Sequence, residues 1–266
     1  QVTVSGVLQL NSGTLNFSGA DLTIGGTVSG SGTLSGNGSS DLSITTAGGI
    51  GGSLTFASGG QSVNDFSISV GSGNSVVLGS ALTVEGTLNL NNGSGLNISG
   101  QSLTIGTGGN ISGTGNITAT ASSSLVINST TGTSSPISIS GGILGSLTVN
   151  SGSGNSVALG GDLSIATMLT LQSGSLNLNG YDLTIAASGN VAASGSGSIS
   201  STNTSNISVM ATAGLTGDLD FGANGSAVNN FTVSVGAGNS VKIDGDLTVD
   251  GSLQLTSGTL NFSDAS

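Results

Sequence analysis

Apolar side chains alternate with Thr, Ser, Asn or Gln in short phrases along the whole chain. Val2-Thr3-Val4, Leu8-Gln9-Leu10, Leu15-Asn16-Phe17 and Leu22-Thr23-Ile24 open it. A period of two places one side of each phrase in a core and the other in water, which predicts β-strands of three or four residues. The phrases start about every seven to nine residues, and Ser-Gly, Gly-Gly, Asn-Gly and Gly-Asn lie between them. These pairs supply the backbone freedom that tight turns need. Glycine interrupts every stretch that could sustain a helical period, so the expected helix content is near zero.

A slower rhythm overlies the fast one. Leu15-Asn16-Phe17 returns as Leu96-Asn97-Ile98, Leu176-Asn177-Leu178 and Leu260-Asn261-Phe262. Gly73-Asn74-Ser75-Val76 returns at Gly154 to Val157 and at Gly238 to Val241. This divides the chain into repeats 1–80, 81–161 and 162–245 and a partial repeat 246–266. Self-similarity at a fixed period marks stacked architectures, in which each unit reproduces its neighbour's surface. Residues 251–266 stop at the phase that residues 7–20 occupy in the first repeat. The expectation is one continuous segment, 1–266, of a longer array.

Two all-β arrangements satisfy the pattern: a string of small antiparallel sandwiches, or a parallel β-helix (β-solenoid) whose short strands stack turn on turn. The brevity of the strands favours the solenoid, as does the lack of proline-rich linkers around the single Pro136. The scarcity of large aromatics, with no Trp and only Tyr181 as tyrosine, points the same way. A narrow solenoid interior is filled by Leu, Ile, Val and Ala. At about 20 residues per turn the chain makes a dozen turns, roughly 60 Å of rod at the usual strand spacing. Each long repeat then takes about four turns. Asn74, Asn155 and Asn239 are candidates for stacked side-chain ladders, although at four turns apart they would not touch one another.

Composition narrows the function. Charged residues make up 5% of the chain, against roughly 25% in ordinary soluble domains. Apolar residues reach 35%, enough for a core. The net charge is −11, and Lys242 is the single basic side chain. Phosphate backbones require Lys and Arg, so nucleic acid is excluded as a partner, and an anionic membrane surface is equally unsuited. No apolar run has the length of a membrane span, so no membrane insertion is expected. Without His, Cys or Arg, the chain cannot assemble a Ser-His or Cys-His pair or the usual zinc ligands. No cofactor is expected, and the chain is read as a non-enzyme.

Carboxylates are the remaining chemistry. Asp218 and Asp220 flank Leu219 and share one strand face, the arrangement from which a paired-carboxylate glycosidase could be built. Against it, Ser53 and Thr55, and Ser146 and Thr148, stand at the corresponding positions of other repeats, which reads as a wet face. Asp244, Asp246 and Asp250 near Lys242 are weak calcium candidates, being hard oxygen donors without a calcium-loop spacing. Asn-x-Ser/Thr sequons occur at Asn16, Asn97, Asn110, Asn116 and Asn206. Tyr181, Phe66 and Phe231 are read as packing residues. Thr118-Ala119-Thr120 is one local Thr-x-Thr, with no matching pair on successive turns to make an ice-binding ladder.

Phrases such as Ser175-Leu176-Asn177-Leu178-Asn179-Gly180-Tyr181-Asp182-Leu183-Thr184-Ile185 resemble the repeat regions of large bacterial secreted adhesins. The similar groups are filamentous-haemagglutinin-like proteins, autotransporter passengers and the giant surface adhesins of Bacteroidetes-type bacteria exported by the type IX system. The resemblance spans the chain and implies a right-handed parallel β-helix on the bacterial cell surface or in an extracellular fibre. It implies a structural rod for attachment or cell contact, with self-association end to end or side by side. Host or neighbouring-cell surfaces, or glycans, are the implied outside partners. The alternatives are a glycan- or ion-binding β-helix module and, behind it, a polysaccharide-degrading β-helix enzyme.

Overall fold

The computed structural model describes residues 1–192, 195–222 and 226–263. The chain is a parallel β-solenoid. It divides into two compact units, Gln1–Ser135 and Pro136–Ser266. The one helical feature among the described residues is a single 3-10 turn, Asn91–Gly93.

In the first unit six strands stack in parallel: Val2–Val4, Leu22–Ile24, Leu42–Ile44, Phe66–Ile68, Thr87–Leu90 and Asn110–Gly113. Register places Val2, Leu22, Leu42, Phe66, Leu88 and Ile111 in one column. A second stack holds Ser53–Leu54, Ser75–Leu78, Gly95–Asn97 and Asn116–Thr118. A third holds Ser62–Val63, Leu82–Val84, Ser102–Ile105 and Ser124–Ile127. Each turn therefore has three sides, and one turn takes 19 to 24 residues, on average slightly more than the 20 expected.

The second unit repeats the design. Leu163, Leu183, Ile207, Phe231 and Leu253 form one column. Val157, Leu176 and Ile199 form another. Leu147, Leu169 and Val191 form a third. Here the strands Ile143–Asn150 and Leu163–Ser173 run around a corner and serve two sides without a break.

The columns point inward and are dry between their end members, Val2 and Leu253, which are exposed. Leu22, Leu42, Phe66, Leu88, Ile207 and Phe231 are at most 1% exposed. Burial at about 25 cal/mol per Å² of apolar surface is the main driving force, and the strand ladders satisfy the peptide groups that burial strips of water. Phe66 and Phe231 are core residues, as the pattern suggested.

The long repeat does not make four turns. Leu22-Thr23-Ile24 returns in sequence as Leu103-Thr104-Ile105, yet four steps up its column lead from Leu22 to Ile111, eight residues beyond Leu103. Leu103 sits on a different side, between Leu82 and Leu125. The second unit agrees: Leu163-Ser164-Ile165 returns as Leu247-Thr248-Val249, while four steps from Leu163 lead to Leu253. Leu247 pairs with Ser226 on another side. The repeat is thus one side short of four turns, eleven sides instead of twelve. A phrase and its echo face different directions within each unit.

Two polar devices close the turns. The first explains the recurring Leu-Asn phrase. Oδ1 of Asn16, Asn97 and Asn177 accepts the backbone N–H two residues on, from Ser18, Ser99 and Asn179, each at 2.9 Å. This is a local side-chain turn that ends the strand. The second is a buried serine one turn later. Ser40 Oγ accepts the Gly19 N–H at 2.8 Å and donates to the Phe17 carbonyl at 3.1 Å. Ser123 does the same with Gly100 and Ile98, both at 3.0 Å. Both serines are 1% exposed or less, and each satisfies backbone groups that the turn leaves behind.

Candidate functional site

The acidic residues are not scattered. Asp21, Asp41, Asp65, Asp162 and Asp182 each immediately precede an inward Leu or Phe, then Ser or Thr, then Ile. The structure shows what the position does. Asp41 Oδ1 accepts the Asp65 N–H at 3.1 Å, and Asp65 Oδ1 accepts the Thr87 N–H at 2.6 Å. In the second unit Asp162 accepts from Asp182 at 3.0 Å, Asp182 from Asn206 at 2.9 Å, and Asn206 from Asn230 at 3.1 Å. Asn230 accepts from Ser252 at 3.0 Å. Each of these acceptors from Asp41 onward staples the corner of its own turn to the backbone of the next, whereas Asp21 makes no such bond among the described residues. The polar ladder foreseen at Asn74 and Asn239 lies here instead. Those two asparagines clasp the turn before them, donating to the carbonyls of Ala47 at 3.0 Å and Thr212 at 2.9 Å.

Asp218, Asp220, Asp244, Asp246 and Asp250 lie in the second unit. Leu219 is buried and Asp218 and Asp220 face outward on either side of it, as the alternation requires. Asp218 Oδ2 takes a 2.5 Å ion pair from Lys242 Nζ. This hydrogen bond raises the Lys242 pKa above its ordinary 10.5, against an opposing effect of desolvation and with added help from the charges of Asp218 and Asp244. Asp220 stands in register with Asp244 one turn on, and Asp220 Oδ1 accepts the Gly222 N–H at 2.6 Å. Asp218, Asp220 and Asp244 line a hollow of about 310 Å³ whose floor includes Leu171 and Val191. Asp220 and Asp244 also line a longer groove of about 560 Å³ that runs past Ser198 and Ser175 to Asn155.

The calcium candidates do not come together. Asp246 and Asp250 are exposed, and their backbones serve the ladder: the Asp246 carbonyl accepts from Ser226, and the Asp250 N–H donates to Val228. Among the described residues no three Asp or Glu side chains converge as a metal site. Tyr181 is 36% exposed and lines neither hollow. Thr118 and Thr120 stay isolated, with Thr120 Oγ1 engaged by Ser122 at 3.0 Å within its own turn. Of the sequons, Asn206 and Asn110 have their amide nitrogens occupied, bonding Asp182 at 2.8 Å and Ser134 at 2.8 Å.

Sequence reasoning missed the groove serines. Ser175 and Ser198 are adjacent only through strand register, and in a chain this rich in serine no local signal separates them from the rest. The corner staples did have a signal: the recurrence of Asp before the apolar-hydroxyl-apolar phrase.

Set against family models, curated proteins and solved structures, the chain matches none of them. No helix among the described residues is long and apolar enough to cross a membrane.

Proposed function

We propose that this chain is a structural, non-catalytic repeat segment of an extracellular bacterial surface adhesin or filament, a rod that holds cells or surfaces in contact. The observation that carries the reading is the corner stapling. In each unit the same side-chain-to-backbone hydrogen bond recurs from turn to turn, as from Asp41 to Asp65 to Thr87 and from Asp162 through Asn230 to Ser252. Four of the twelve acids, Asp41, Asp65, Asp162 and Asp182, and the amides of Asn206 and Asn230 are spent on joining turns in this way. A load along the stack is then borne by parallel backbone ladders reinforced at one corner of successive turns. Side-by-side association would use the neutral Ser, Thr and Asn faces, away from the acids that give the chain its net charge of −11.

Immunogold electron microscopy on intact cells of the producing organism tests this reading. Gold along thin extracellular fibres is the expected result. Label confined to the cell interior, or compact globular particles from the purified protein, would overturn it.

A further inference from the structure

The geometry points to the groove of the second unit as a binding site for a neutral glycan strand lying along the stacking direction. The groove has a volume of about 560 Å³ and crosses successive turns, from Asn155 past Ser175 and Ser198 to Asp220 and Asp244. That path covers roughly 20 Å at the spacing of adjacent β-strands. Ser175 stands outward beside the buried Leu176, and Ser198 and Ser200 beside Ile199, so each of these turns offers a short hydroxyl to the groove. Glycines keep it open: a Cβ on Gly222 would lie 3.2 Å from Ser198 Oγ, and one on Gly245 would lie 2.9 Å from the Gly222 carbonyl oxygen.

The lining selects the ligand class. Asp220 and Asp244 supply acceptors, the serines both donate and accept, and no cationic side chain lines the groove. An acidic polymer is repelled by two carboxylates stacked one turn apart. A peptide strand would need open backbone donors, and here the Ser175 and Ser198 N–H groups are taken by the Asn155 and Gly174 carbonyls. A hydroxyl-rich neutral chain can donate to the carboxylates alongside the Gly222 and Gly245 N–H groups they already accept, and can pair with the serines in both senses. The advance of one β-1,4-linked hexose is close to the roughly 4.8 Å between adjacent turns, so a strand lying along the stack passes about one sugar per turn. The inference is separate from the rod reading, and either can fail without the other.

The test is NMR titration of the purified chain with neutral β-1,4-linked pentasaccharides of glucose, N-acetylglucosamine and mannose, with pentagalacturonate as the acidic counterpart. The expected result is amide shifts at Ser175, Ser198 and Ser200 with a dissociation constant of about 1 mM for one of the neutral sugars. Pentagalacturonate is expected to bind at least about tenfold more weakly. Ser198→Tyr, which fills the groove, should weaken binding by about tenfold with the backbone spectrum otherwise kept. The shape-preserving pair Asp220→Asn and Asp244→Asn should reduce the discrimination against the acidic sugar. No neutral sugar binding at about 10 mM, equal binding of the acidic sugar, or binding untouched by Ser198→Tyr would each overturn the proposal.

Discussion

Oδ1 of Asp182 accepts two hydrogen bonds from Asn206, one from its backbone N–H at 2.9 Å and one from its side-chain Nδ2 at 2.8 Å. The two residues are 24 positions apart and one turn apart. Asn206 then presents its own Oδ1 to the backbone N–H and the side-chain Nδ2 of Asn230, at 3.1 and 2.8 Å. The motif hands itself on. It also explains why Asn can follow Asp in the same column: both offer the acceptor that the next turn requires.

Asp182→Ala removes the acceptor and leaves the half-buried Asn206 N–H to water. The expected loss is about 1 kcal/mol, at the low end for a charge-assisted bond because the corner is partly wet. Asp182→Asn keeps Oδ1 and should recover most of it. Urea denaturation of the two variants distinguishes them; equal losses would remove the staple's role.

Phe231 is fully buried between Ile207 and Leu253 in its column. Phe231→Ala should destabilise by about 3 to 5 kcal/mol, the sum of lost transfer energy and a cavity that stacked turns cannot collapse. Phe231→Leu restores the side chain found at equivalent steps and should cost under about 1.5 kcal/mol. The comparison is a thermal melt with the slope of the transition checked for two-state behaviour.

Glycines divide into two classes by what a Cβ would meet. Gly238 has φ +82° and nothing within 4 Å, so Gly238→Ala should cost only the left-handed penalty of about 1 kcal/mol. Gly113 has φ +95°, and a Cβ there would lie 2.2 Å from the Leu90 carbonyl oxygen. Gly113→Ala therefore displaces the turn beneath it and should cost at least about 2 kcal/mol more than Gly238→Ala. Equal midpoints in denaturant would show that the turns are not in this contact.

The Lys242–Asp218 pair is exposed, with 47% and 36% of the side chains accessible. Its folded-state lysine pKa is raised, so its contribution is fully present below 10.5 and is lost as pH climbs through the raised value. Solvent screening keeps that contribution small. Lys242→Met should leave the neutral-pH melting temperature nearly unchanged and remove only an alkaline inflection. A large drop at neutral pH would mean that the pair holds the strand Ser240–Asp244 in place.

Much of the fold was open to a reader of the chain. The alternation in Leu22-Thr23-Ile24 or Leu183-Thr184-Ile185 sets which side chains are dry, and glycine between phrases sets where strands stop. Leu, Ile and Val in a chain with almost no Tyr or Trp left little besides a narrow stacked core. The candidate site was less open. Asp218 and Asp220 were visible as an outward pair, because alternation along one strand is local information. Asp244 joining Asp220, and Ser198 joining Ser175, depend on register between turns, which no single strand encodes.

The sequence by itself determined the strand-and-turn rhythm, the inward set of apolar residues, and the exclusion of chemistry that needs His, Cys or Arg. Only the tertiary structure decided how many residues close a turn. That number is set by where each corner meets the backbone of the turn below, as when the Asp182 carboxylate reaches the Asn206 N–H. Because the closure averages slightly more than a quarter of the repeat, Leu22 and its echo Leu103 face different sides, and the acids of Asp220 and Asp244 come to share a groove with serines distant in sequence.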